Sequence, residues 1–342
     1  MHMKIKKKIA IILPNLQTGG AEKVSLLILN NLSDELFEKH LILFQKNGKN
    51  LNNVNKNINI INLNNPRLIF NSIKIINIIL KYKFDVIFSS FYHINIFLGF
   101  IKFFLSFKLV IRESNDPIHI INRHSKKKLV LFLYKFFYPK ADKIILPAKY
   151  LIKRLNNLSI PKSKIKVIYN PVYNEKKINE SFYRNKFCAI GRLTYQKGFD
   201  ELIKTVNNSS LKKLYIIGSG AEKKNLLKLS NKNKIIFVKE TKPKKFLLTS
   251  KALFFSSRWE GMPNIALESL MHGTPIISIS KIDSILELKK ISKKNSIWIV
   301  NKKNFEKFIV RFINLKNRNY KNLLPKDFNI DYAINKYQKV LY

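Results

Sequence analysis

Short apolar runs separated by polar, helix-patterned stretches recur along the whole chain. This predicts parallel β-strands alternating with helices that cover both faces of a sheet. In the first half the strand-like runs are Ile9 to Leu13, Leu41 to Phe44, Ile58 to Leu63, Val86 to Phe88, Leu109 to Ile111, Lys143 to Leu146 and Lys166 to Tyr169. The alternation stops at Asn170-Pro171 and restarts with Phe187 to Ile190, Leu214 to Ile217, Ile235 to Val238, Ala252 to Phe255, Ile276 to Ser278 and Ile297 to Val300. That restart predicts two doubly wound α/β domains, residues 1–170 and 171–328, with a ligand cleft between them. A final stretch, 329–342, has apolar residues at Tyr332, Ile334, Tyr337 and Val340 and reads as a terminal helix.

Two segments imitate membrane sequences. Met1 to Lys8 followed by Ile9 to Leu13 has the basic start of a signal peptide, but its apolar core is short and Pro14 to Glu22 lead into a glycine turn. A buried first strand is the better expectation. Ile87 to Phe107 is apolar for about the length of a membrane span. His93, Asn95 and Lys102 interrupt it and strands flank it, so a helix within or along the domain is expected.

The chain has 342 residues, enough for two cores, and is 46% hydrophobic, which excludes a disordered class. Its one cysteine, Cys188, lies in a strand-like run, which excludes a disulfide framework and fits a reducing, cytoplasmic setting. The formal net charge of +43 comes from 64 Lys and Arg against 21 Asp and Glu. These lysines are scattered and travel with Asn and Ile, without base-reading residues between them, so the charge suits an anionic partner without pointing to nucleic acid.

The segment 255–278 carries the most chemistry. It places Glu260 and Glu268 on either side of a helix start, after the apolar run 252–255 and before Ile276-Ile277. Pro263 suits a first helical turn, and the N–H groups of its neighbours, Gly261 included, stay available to a phosphate at the dipole's positive end. Glu268 is expected about two turns along the helix. Two carboxylates so placed can hold hydroxyls at the two ends of one ligand, such as a sugar and a ribose joined by a diphosphate. The same pair also occurs on plain capped, solvated helices, so spacing alone leaves both readings open.

Other strand ends add weaker signals. Gly19-Gly20 opens a helix through what looks like a tight turn, with Val24, Leu27, Ile28 and Asn31 as its core face. Arg192 and Lys197 follow the first strand of the second half and can point at one anion, with Gly198 marking the turn. Gly218, in Ile-Ile-Gly-Ser-Gly, is another glycine turn after a strand. Arg112 and Glu113 form a charged cluster after Val110-Ile111, readable as a salt-bridged turn, and His93 reads as a structural histidine in an apolar helix. Leu129 to Phe137, after Lys126-Lys127-Lys128, reads equally as an amphipathic basic helix on an anionic bilayer or as a core helix with solvated lysines.

Glu-Gly-Met-Pro-Asn-Ile-Ala-Leu-Glu, residues 260–268, closely resembles the donor-site signature of retaining GT-B glycosyltransferases of family 4. Gly-Arg-Leu…Lys-Gly at 191–198 and Gly-Gly-Ala-Glu at 19–22 resemble other loops of that family, so the resemblance covers nearly the whole chain. It implies a GT-B fold of two Rossmann-like domains facing a cleft, an N-terminal acceptor domain, a C-terminal donor domain, and a terminal helix crossing back to the first. It also implies transfer of a sugar from a nucleoside-diphosphate donor, a UDP-linked hexose or N-acetylhexosamine, to a saccharide or polyprenyl-linked acceptor, with retention, in cell-surface polysaccharide assembly.

By resemblance, Glu260 contacts the donor sugar, the Gly261, Met262, Pro263 and Asn264 backbone its diphosphate, and Glu268 the ribose. Arg192 and Lys197 neutralise the leaving diphosphate, Gly19 and Gly20 face its phosphates, and Gly218 lets the nucleotide approach, with Lys239-Glu240-Thr241 near the base. Fixed cations and amides remove the need for a metal, and no Asp-x-Asp pair sits at a strand end, so no cofactor is expected. Many family members carry a histidine where Arg112 and Glu113 stand; an acid there can orient or deprotonate the acceptor hydroxyl. A cytoplasmic enzyme, peripheral on an anionic membrane, follows. The alternatives are a sugar-nucleotide epimerase or hydrolase on the same architecture and, more remotely, a basic nucleic-acid-binding protein.

Overall fold

A computed structural model describes residues 5–17, 19–173, 184–239, 243–315 and 322–342, and in it the apolar runs form parallel strands. The chain divides into two units, Met1–Pro171 with Ile330–Tyr342, and Val172–Asn329.

The first unit holds β1 (Lys7–Leu13), β2 (Phe37–Leu43), β3 (Asn59–Asn62), β4 (Val86–Ser89), β5 (Lys108–Arg112), β6 (Lys143–Leu146) and β7 (Ile165–Val167). They form a seven-stranded sheet in the order β3-β2-β1-β4-β5-β6-β7. Ile9 to Leu13 are fully buried inside β1, which pairs with β2 and β4, as expected of a first strand. The connecting helices are α1 (Gly20–Asn31), α2 (Leu68–Tyr82), α3 (Tyr92–Ile101), α4 (Pro117–Arg123), α5 (Lys127–Phe137) and α6 (Leu151–Asn156). Because parallel crossovers are right-handed, α1 lies on one face while α2 to α6, which lead strands the other way, cover the opposite face. The apolar stretch 87–107 is thus divided among β4, the ten-residue α3 and a turn. Among the described residues no helix is long and apolar enough to cross a membrane.

The terminal helix α13 (Ile330–Leu341) packs in this first unit, where Ile330, Ala333, Ile334, Tyr337 and Leu341 join one core with Ile9, Ile11 and Val24. Two of its expected core positions shift. Tyr332 is 38% exposed beneath the Lys336 ammonium, 4.3 Å from its ring centre, and Val340 is only partly buried, because the buried positions are the residues that follow them, Ala333 and Leu341. Helix α1 packs against both β1 and α13, and Ser25, Leu26 and Leu29 are buried beside the expected Val24 and Ile28, whereas Asn31 is only half-buried.

The second unit holds β8 (Lys186–Ile190), β9 (Leu214–Ile217), β10 (Ile235–Val238), β11 (Ser250–Phe255), β12 (Ile276–Ser278) and β13 (Ile297–Ile299), in the order β10-β9-β8-β11-β12-β13. Its helices are α7 (Phe199–Asn207), α8 (Lys223–Leu229), α9 (Pro243–Thr249), α10 (Asn264–Met271), α11 (Asp283–Ile291) and α12 (Phe305–Ile313). Cys188 is fully buried in β8, and that burial pushes its thiol up to about 12, which makes it a small inert core residue.

In each sheet the strand order reverses once, between β1 and β4 in the first and between β8 and β11 in the second. Loops leaving the carboxyl ends of two such strands part to opposite faces and leave a crevice, where ligands bind in folds of this kind.

Candidate active site

At the reversal point of the second unit, two loops are tied together. The turn after β8 ends at Lys197 and Gly198, and the loop after β11 carries Ser256 to Glu260. Gly198 has φ 63°, and a β-carbon there would stand 2.2 Å from the Ser256 carbonyl oxygen, so only glycine permits this approach. Ser256 Oγ donates to the Lys197 carbonyl at 2.8 Å. Lys197 Nζ then reaches Glu260 Oε1 at 2.5 Å, and Ser257 Oγ donates to the same oxygen at 2.9 Å. The two side chains are only 16% and 10% exposed, so their attraction is weakly screened.

Arg258 fastens the same loops from outside. Its guanidinium forms a fork with Asp200 at 2.9 and 2.6 Å, donates to the Tyr195 carbonyl at 2.6 Å, and lies 4.0 Å from the Tyr195 ring centre. Its backbone N–H donates to Gln196, whose amide donates to the Trp259 carbonyl at 3.0 Å. Burial alone would raise the Asp200 carboxyl, but the Arg258 fork outweighs it and holds that carboxyl below its ordinary range.

The other expected donor residues are placed less uniformly. Arg192 is exposed, and its guanidinium makes no hydrogen bond or ion pair among the described residues, so it does not share the Lys197–Glu260 contact. Gly218, with φ 150°, lets the turns after β8 and β9 touch, since a β-carbon would meet the Gly191 carbonyl oxygen at 2.0 Å. Helix α10 begins at Asn264, with Pro263 preceding its first turn and no side chain capping it. Glu268 is therefore the fifth helical residue, just over one turn along rather than two. Gly261, Met262 and Pro263 are buried, and Asn264 is half-buried. Glu240 and Thr241 lie outside the described residues.

The reversal point of the first unit is built differently. Gly19 is extended, at φ −70° and ψ 149°, and Gly20 already opens α1, so neither glycine takes a left-handed conformation. Gly19 instead leaves room for the Glu22 carboxylate, 2.0 Å from where a β-carbon would stand. Ser25 Oγ and Ser90 Oγ bond at 2.8 Å between α1 and the loop after β4. Arg112 and Glu113 do not bridge each other. Arg112 is buried, donating to Asn170 Oδ1 and, at 2.7 Å, to Ser114 Oγ.

Glu113 is 2% exposed and accepts hydroxyl bonds from Tyr138 at 2.7 Å and Tyr134 at 3.3 Å, while the Asn95 amide touches the Tyr138 hydroxyl at 3.2 Å. Burial pushes the Glu113 carboxyl up from an ordinary 4.5 to about 7, and the two tyrosines hold it from rising further. The carboxyl that can orient or deprotonate an acceptor hydroxyl is thus enclosed by two tyrosine hydroxyls. His93 packs on the Phe91 and Tyr92 rings, and burial lowers its pKa, as suits a structural histidine.

Asp200, Ser257 and Arg258 lie within or beside the quoted strings, yet a pair 58 residues apart has no local signal. Tyr134 and Tyr138 follow a helical i, i+4 spacing that could have marked a common face, but not the carboxyl it meets. A cavity of about 690 Å³ lies away from all these groups, lined by Lys102 to Lys108 and Asp142.

Residues 18–176 match the model of Glycosyltransferase Family 4, and residues 174–324 that of Glycosyl transferases group 1. An uncharacterized glycosyltransferase of Methanocaldococcus jannaschii is 34% identical over 194 residues, 50% of this chain, which spans about half (48%) of that relative's length. The N-acetylgalactosamine-N,N'-diacetylbacillosaminyl-diphospho-undecaprenol 4-alpha-N-acetylgalactosaminyltransferase of Campylobacter jejuni is 29% identical over 288 residues, 77% of this chain and 78% of that protein. Among solved structures, Anabaena HepE in complex with UDP and glucose superposes with a TM-score of 0.80 over 98% of this chain and 99% of that one, at 14% identity.

Proposed function

We propose, because the chain belongs to the group 1 glycosyltransferases and has the GT-B fold, that it moves a sugar from a nucleoside-diphosphate donor to a saccharide or lipid-linked saccharide acceptor in polysaccharide assembly. The observation that carries this reading is the Lys197–Glu260 contact, an opposite-charge pair poised at the reversal point of the second sheet. A cation beside a carboxylate suits a ligand that brings both phosphates and hydroxyls. The activity in the Campylobacter relative's name, transfer of N-acetylgalactosamine to a diphospho-undecaprenol saccharide, supports an amino-sugar donor and a lipid-linked acceptor here.

In this reading a donor diphosphate takes Lys197 from Glu260, and the freed carboxylate accepts from the sugar hydroxyls. Arg192, which has no competing side-chain partner among the described residues, closes on the phosphates from the other side. The uncapped start of α10 at Asn264 meets the same diphosphate, and Glu268 the ribose. The sugar–phosphate bond breaks as these cations and amides stabilise charge on the departing nucleoside diphosphate. The acceptor hydroxyl attacks from the same face within the ion pair, its proton passes to the departing phosphate, and configuration is retained. No divalent metal is needed. Glu113 serves the acceptor side as a positioning residue, holding the end of β5 through Tyr134 and Tyr138.

A panel of nucleotide sugars, incubated with and without polyprenyl-diphosphate saccharides and with chelator present, tests this. Acceptor-dependent release of nucleoside diphosphate with an axial-to-axial product is expected. Turnover that ignores acceptor would favour hydrolysis or epimerisation, and turnover that requires added divalent cation would remove the metal-free step.

A further inference from the structure

We infer that the α3–α5 face of the first unit docks on an anionic lipid bilayer. Phe100, Phe103, Phe104, Phe132 and Phe136 are between 45% and 73% exposed, an unusual outlay of aromatic surface for one patch. They are one surface, since Phe103 stacks on Phe136 at 5.9 Å, Phe136 on Phe132 at 5.6 Å, and Phe100 meets Phe104 at 5.5 Å. In α5 the outward residues Leu129, Phe132 and Phe136 fall on one stripe, and the opposite positions Val130 and Tyr134 are buried. The helix is amphipathic in an inverted sense, with its outer face as apolar as its inner one.

Charge selects the occupant. Exposed Lys128 and Lys135 border the α5 stripe, and the Lys140 ammonium sits 4.4 Å from the Phe103 ring centre and 5.9 Å from that of Phe136. Lys102 and Lys108 line the cavity beside Phe103 and Phe104, where the acid present, Asp142, is bonded to Lys102. A second copy of this chain would bring these lysines against themselves in a molecule of net charge +43. Anionic headgroups meet the lysines while the rings enter the headgroup–acyl boundary, the arrangement of interfacial aromatic helices. The inner side of the same helix holds Glu113 through Tyr134, so docking brings a lipid-borne acceptor to the acceptor side; that purpose rests on the proposed reaction, whereas the docking itself does not.

Flotation of the full chain with phosphatidylcholine vesicles, and with vesicles in which a third of the lipid is phosphatidylglycerol, provides the test. Preferential binding to the anionic vesicles is expected. The double variant Phe132→Ser/Phe136→Ser and the double variant Lys135→Ala/Lys140→Ala should each weaken it by about tenfold or more, while Lys289→Ala/Lys290→Ala on α11 should change it less than about twofold. Absence of anionic preference, aromatic variants that bind like the parent, or a concentration-dependent dimer abolished by the aromatic variants would each overturn the inference. If vesicle binding fails while a short soluble acceptor is still glycosylated, only the docking falls; if binding holds and no nucleotide sugar is consumed, only the transferase reading falls.

Discussion

The reversal points of the two sheets are topologically alike and chemically opposed. In the second unit Lys197 and Glu260 stand nearly desolvated but charged, held by Ser256, Ser257 and the Arg258–Asp200 fork. In the first unit the Ser25 and Ser90 hydroxyls are buried against each other, and the acid at the strand end, Glu113, is withdrawn among tyrosines with its carboxyl pushed up to about 7. One site presents opposite charges in fixed places, and its cation suits a departing diphosphate. The other withholds charge, which suits a neutral hydroxyl partner and a surface near lipid.

The sharpest way to break this contrast is to remove the charges of the second unit. Lys197→Ala and Glu260→Ala should each lower turnover by about two orders of magnitude while the thermal midpoint moves little. Because the bound donor draws Lys197 to its phosphates and leaves Glu260 to the sugar hydroxyls, the double variant should lose about the sum of the two single losses in free energy. Steady-state rates of the three variants check this. Folded variants with near-parental rates would take the pair out of the mechanism, and a double variant no worse than either single one would mean that the two groups act only as a pair.

The withheld charge of the first unit makes a second prediction, smaller on activity but with a definite sign. Since the folded state keeps a proton on Glu113 up to about pH 7 and the unfolded chain releases it near 4.5, folding takes up a proton in that window. The burial contribution is therefore fully present below pH 4.5 and lost as pH rises through 7, an effect of about 3 kcal/mol. Glu113→Gln carries no such proton, so the variant should gain stability relative to the parent by about that amount between acidic and neutral pH. Urea unfolding of both proteins across this range decides the matter, and parallel profiles would sink the claim. Turnover of the variant should fall about tenfold through the acceptor, with the donor KM unchanged.

How much of this was legible beforehand follows the same division. Strands buried on both faces, such as Ile9 to Leu13 and Leu253 to Phe255, announce themselves as unbroken apolar runs, and two doubly wound sheets were readable from their alternation. Helix register was less so. Tyr332 looks apolar but lies outward, its ring covered by Lys336, and the neighbouring Ala333 takes the core position. In the site, the strings around Lys197 and Glu260 were legible, as each sits at the end of a predicted strand. Their contact was not, and neither was the turn of Glu113 toward Tyr138, since both depend on how separate loops and helices pack.

The smallest expected effect concerns Arg258, whose fork to Asp200 would act by holding the loops of Lys197 and Glu260. Its fork to Asp200 and its contact with the Tyr195 carbonyl fix the turn that ends at Lys197. Arg258→Ala should therefore lower kcat by about threefold and leave the donor KM nearly unchanged, because the charges remain but their mutual position loosens. Arg258→Lys should restore little, since an ammonium cannot reproduce the two-pronged bond. Asp200→Ala added to Arg258→Ala should cost nothing more, as the pair is already broken. A role confined to stability would instead lower the thermal midpoint of Arg258→Ala while leaving kcat at the parental value. In that case the Lys197–Glu260 contact holds its geometry unaided, and the fixed charge of the second unit owes nothing to the fork outside it.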